Sequence, residues 1–171
     1  MLKKRISTLC VACGLIGGLA PTLASADSAR AVLGGYAGVP SVSSTGTGSF
    51  SAEFDMVNNT ISYQMTYSGL EGDILQAHIH IGQARTNGGI SAFLCSNLPS
   101  PPAGTPVCPI AGTVTGVIQG SSVIGPNAQG VAPGEFAELV AAIRAGATYV
   151  NVHTSKVPTG EIRGQIIYSD K

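Results

Sequence analysis

Two runs near the middle of the chain alternate strictly between apolar and polar positions. Phe50, Ala52, Phe54 and Met56 interleave with Ser49, Ser51, Glu53 and Asp55, and Ile61, Tyr63, Met65 and Tyr67 with Thr60, Ser62, Gln64 and Thr66. A period of two means a strand with one buried face, and the Asn58-Asn59 pair between the runs marks the turn of a β-hairpin. Further strands are predicted over residues 31–33, 74–81, 90–95, 112–118, 148–154 and 161–168. One segment, 133–146, changes period. Phe136, Leu139, Val140 and Ile143 recur at helical spacing, with Glu135 and Glu138 in the first turns, Arg144 in the last and Gly146 just beyond. These signals agree on one short amphipathic helix packed on the sheet edge or capping a barrel end. Many short strands with Gly-rich turns predict an all-β sandwich or barrel.

The first 26 residues do not share this pattern. Lys3, Lys4 and Arg5 precede an uncharged apolar run over 6–20, and Pro21 and Ala24-Ser25-Ala26 follow. This is the layout of a secretory signal peptide cleaved after Ala26, and the apolar run is short for a membrane span of about 20 residues. Acylation at Cys13 is the other reading, but Cys10-Val11-Ala12 lacks the expected leucine and the apolar run continues past Cys13. The expectation is an exported protein, periplasmic or secreted, with a single domain over 27–171 and no membrane span in the mature chain. Cleavage leaves six basic residues against nine acidic ones, a net charge of −3. That weakly acidic balance argues against nucleic acid as a partner.

Cys95 and Cys108 remain after cleavage, and export favours a disulfide between them. Pro99, Pro101, Pro102 and Pro106 lie in the intervening segment, which a bridge would tie down. Two unpaired thiols are the other reading, and the spacing does not suit a zinc knuckle.

The three histidines fall on predicted strands. His78 and His80 share a face opposite Leu75, Ala77, Ile79 and Ile81, and His153 shares a face with Tyr149 and Asn151 opposite Val150 and Val152. In the last strand Glu161, Arg163 and Gln165 oppose Ile162 and Ile166. If the aliphatic faces form the core, the histidines and Arg163 point outward. Two imidazoles about 7 Å apart along a strand can converge on one ion, joined by a third from a neighbouring strand. Imidazole suits zinc, copper, iron or nickel. The competing reading is structural, with each ring holding a loop backbone. No nucleophile elbow, phosphate loop or His-Glu-x-x-His is present.

The blocks Ala77-His78-Ile79-His80-Ile81-Gly82, Tyr149-Val150-Asn151-Val152-His153-Thr154 and Pro158-Thr159-Gly160-Glu161-Ile162-Arg163-Gly164-Gln165-Ile166, with Phe136, Leu139 and Ile143 between them, resemble the CHRD domain. The resemblance covers most of residues 30–168. It implies an immunoglobulin-like β-barrel, distantly similar to copper-zinc superoxide dismutase, with no common activity. By that similarity His78, His80 and His153 correspond to copper ligands and Arg163 to the active-site arginine, with Glu161 beside it as a second anion or outer-sphere group. The bridging and zinc-site histidines of the dismutases have no counterparts. The expected function is a non-catalytic extracytoplasmic module binding a protein or surface partner. A three-histidine copper or zinc protein with redox activity, and a purely structural domain, are the alternatives.

Overall fold

The computed structural model describes residues 27–170. The expected signal peptide, 1–26, lies outside the described residues. Nine strands and one α-helix follow in the order β1 (Ser28–Gly34), β2 (Thr47–Asp55), β3 (Thr60–Ser68), β4 (Ile74–Ile81), β5 (Ile90–Ser96), β6 (Gly112–Ile118), α1 (Phe136–Arg144), β7 (Thr148–Thr154), β8 (Ile162–Gln165) and β9 (Ile167–Ser169). Short 3-10 turns at Gly35–Ala37, Gly120–Ser122 and Asn127–Gln129 were not signalled by periodicity.

The β2–β3 hairpin forms as its alternation predicts. Phe50 pairs with Met65, Ala52 with Tyr63 and Phe54 with Ile61, and all six side chains are buried. Asp55 Oδ1 accepts from Val57 N and Asn58 N, and Asn59 takes φ +53°, so the turn is set by the acid and asparagine residues that tolerate such geometry. The strands run antiparallel in the order β5-β4-β7-β8-β1-β2-β3-β6, with β9 beside β1. The result is an antiparallel β-barrel, nearly closed, with its core inside the wall.

Side chains and a loop close the gap between β5 and β6. Tyr63 on β3 donates to Leu94 O on β5 at 2.6 Å. Its ring passes so near Gly116 that a Cβ there would lie 2.4 Å from the hydroxyl. Ser96 N donates to Pro106 O and Ile124 N to Ser91 O, both at 2.9 Å, so irregular chain covers the edge of β5. The Cys95–Cys108 disulfide fastens that chain to β5. It closes a short loop, so the Cys95→Ser/Cys108→Ser double variant is expected to lose about 3 kcal/mol of stability. Urea denaturation with and without reductant checks this, and an unchanged midpoint would refute it.

Helix α1 buries Phe136, Leu139, Val140 and Ile143, as its spacing predicts, and lies against β9. Its first turn begins later than expected, because Gly134 at φ +91° still belongs to the incoming turn. Arg144 at its end reaches Asp27 Oδ2 at 3.0 Å and Tyr168 Oη at 3.1 Å. The closing strand, expected unbroken over 161–168, is split. Residues 162–165 pair with β7, and 167–169 with the start of β1. The strand must cross close to β1 at Gly164, where a Cβ would meet Val32 O at 2.3 Å.

The wall has two kinds of strand. β1, β2 and β3 alternate between buried and exposed positions. β7 is buried at every position, and β4 and β8 at nearly every one. Loops fold over the outer face of these three strands, and the histidines lie beneath them.

Candidate metal centre

β4 and β7 are neighbours in register, with Gln76 opposite His153, His78 opposite Asn151 and His80 opposite Tyr149. This pairing brings the three histidines onto one patch of the barrel's outer face. Each offers one ring nitrogen such that the three atoms lie within 4.8 Å of one another. The expectation that this face points outward holds for the wall but not for water, since His78, His80 and His153 are 0, 7 and 8% exposed. Irregular chain covers them, and irregular chain leaves no periodic signal.

The hydrogen bonds assign the ring tautomers. His80 Nδ1 lies 2.9 Å from Gly88 O, and His153 Nδ1 lies 2.9 Å from Pro158 O. A carbonyl can only accept, so both Nδ1 atoms carry the proton and both Nε2 atoms carry a lone pair. His78 Nδ1 lies 3.2 Å from His153 Nε2 and is therefore the donor to it. The Nε2 atoms of His78 and His80 are left buried without a partner. Burial pulls the His78 pKa down to about 2, helped by the neighbouring His153 and His80. Burial likewise pulls His80 down to about 4, against the pull of Gly88 O, and it lowers His153. The cluster is therefore neutral at physiological pH.

The walls are aromatic. Phe93 on β5 meets the His78 ring edge-on at 4.3 Å, and Tyr149 stacks on His80 at 4.8 Å and 6°. Arg163, 2% exposed, lays its guanidinium on the Tyr149 ring at 3.4 Å. Its N–H groups donate to Gln83 O at 3.1 Å, Thr86 O at 2.7 Å and Asn87 Oδ1 at 3.3 Å. Arg163 thus fastens the loop whose Gly88 O orients His80. Gly88 must be glycine there, since a Cβ would fall 1.6 Å from Ile81 O. Tyr149, Phe93 and Gly88 were not singled out by sequence. Tyr149 alone left a signal, through the face it shares with His153.

Glu161 does not join the histidines. Gly160 at φ +119° turns the chain just before β8, and the Glu161 carboxylate accepts from Ser44 Oγ at 2.7 Å, Glu71 N at 2.7 Å and Thr154 Oγ1 at 2.6 Å. Burial pushes this carboxyl up, but the three donors outweigh it and hold it below its ordinary value. It is a clamp between two loops and β7.

Three features fit a metal ion. The donors are imidazoles, two lone pairs are buried and unused, and two rings have their far nitrogens fixed by backbone carbonyls, as ligating histidines commonly do. His80 would bind through Nε2 and His78 through its free Nε2, whereas the Nε2 of His153 becomes available once the bond it accepts from His78 yields. A tetrahedral zinc with bonds of 2.0–2.1 Å needs donors about 3.3 Å apart, so the rings must draw in by roughly an ångström.

A family model described as the CHRD domain matches residues 29–166. No curated protein and no solved structure matches the chain.

Proposed function

The chain belongs to the CHRD domain family, and from that premise we propose that this member is an exported, non-catalytic binding domain whose ligand is one copper or zinc ion at His78, His80 and His153. The observation that carries the reading is the pair of buried, unpartnered Nε2 atoms on His78 and His80. Burying such acceptors costs about 1–3 kcal/mol each, which a bound ion would offset. Copper there would supply a redox-active centre, and zinc a closed-shell Lewis acid.

The test is elemental analysis of the mature domain, purified without a His tag from the compartment to which it is exported, followed by copper and zinc titration. About one equivalent is expected, falling to none in His78→Ala/His80→Ala. Full metal content in that double variant would sink the proposal.

A structural reading is favoured by the bonds from His80 to Gly88 O and from His153 to Pro158 O, which tether two loops. It differs in requiring no ion at any concentration.

A further inference from the structure

We infer that the histidine centre is built for monovalent copper, and that Arg163 sets this preference. The inference rests on the metal reading above and narrows it to one oxidation state.

The donor set is three imidazoles, and among the described residues no carboxylate joins it. Glu161, the acid nearest Arg163 in sequence, is occupied by Ser44, Thr154 and the Glu71 amide. The two ion pairs among the described residues, Arg144–Asp27 and Lys156–Glu71, involve neither Arg163 nor a histidine. Arg163 is buried and bonded only to neutral oxygens, so its charge is solvated but not cancelled. Its guanidinium is 3.4 Å from the Tyr149 ring centre, and that centre is 4.8 Å from His80. The cation therefore stands no more than about 8 Å from the His80 ring, where it disfavours any added positive charge.

Charge number decides which ions such a place accepts. The cost of taking an ion out of water rises with the square of its charge, and its repulsion by Arg163 rises in proportion. Zinc also requires a fourth ligand and copper(II) a tetragonal set. Here three nitrogens are offered between Phe93 and Tyr149. Copper(I) brings half the charge and is satisfied by two or three nitrogens. Alkali cations share its charge but seek oxygen donors.

The experiment titrates the mature domain anaerobically with copper(I) against a bicinchoninate competitor, and separately with zinc(II) and copper(II), each by chelator competition. Copper(I) is expected to bind most tightly. Arg163→Met removes the charge at similar length, and should raise zinc(II) affinity about 30-fold relative to copper(I), from one unit charge at about 8 Å and an effective dielectric constant of about 20. Arg163→Lys keeps the charge and should keep the parental ratio. Zinc(II) or copper(II) binding as tightly as copper(I) in the parent overturns the inference while leaving a metal site standing. An unchanged ratio in Arg163→Met, or a shift in Arg163→Lys equal to that in Arg163→Met, overturns the role of Arg163. No binding of any of the three ions overturns the metal reading itself.

Discussion

Between pH 7.5 and pH 5 the metal-free domain is expected to lose about 2 kcal/mol of stability for each of His78 and His80. In the unfolded chain both rings titrate near 6.5, whereas burial holds them at about 2 and about 4 in the folded protein. Over the interval the unfolded chain takes up protons that the folded chain refuses. Their contribution is therefore complete above pH 6.5 and falls with pH, until about pH 4 for His80 and about pH 2 for His78. His153, also lowered, adds in the same direction. Glu161 contributes in a more acid window, since its depressed carboxyl loses its advantage only as the pH drops below the ordinary carboxylate value of 4.5. Stopping at pH 5 isolates the imidazoles. Urea denaturation of the parent and of His78→Asn/His80→Asn, at both pH values and with a chelator present, measures the effect. A parent as stable at pH 5 as at pH 7.5, or a variant with the same pH slope, would contradict it.

Glu161→Ala should cost about 3–5 kcal/mol, because it removes at once the charged acceptor of the buried Thr154 hydroxyl and of the part-buried Ser44 hydroxyl and Glu71 N–H. The carboxylate links the Ser44 turn, the Glu71 loop and Thr154 on β7, so no single neighbour can substitute for it. Glu161→Gln keeps the shape and one acceptor but turns an amide N–H₂ toward a donor. Its cost should be smaller, about 1–3 kcal/mol. Thermal and urea melts of both variants decide the matter. An alanine variant within about 1 kcal/mol of the parent would show that water replaces the carboxylate.

These two sites also show where sequence was a good guide. The β2–β3 hairpin was legible because water lies on one of its faces, which forces alternation. β4 and β7 alternate as well, yet both of their faces are buried. Alternation there separates aliphatic core from a polar layer packed under loops, and it looks the same as a solvent face. The clues to the loops were single glycines. Gly88 and Gly160 stand where the chain comes within a Cβ of Ile81 O and of the Asn151 side chain. The histidine trio could be proposed from spacing, but its convergence depended on β4 pairing with β7 across 66 intervening residues. Periodicity says nothing about that pairing. Glu161 was placed with Arg163 by parity alone, and the turn at Gly160 broke the parity.

The disulfide has a consequence beyond the barrel's edge. Cys95 pairs with Ala77, the residue before His78, so its sulfur belongs to the strand next to the histidines. As thiolates, Cys95 and Cys108 would be softer donors than any imidazole and would hold copper(I) more firmly. Oxidised to one another, they drop out of the contest. Were the histidines to take copper, maturation would therefore follow a chronology, with sulfur oxidised first and the ion admitted afterwards. An ion that arrived early would meet a rival pair of ligands one strand away from the histidines.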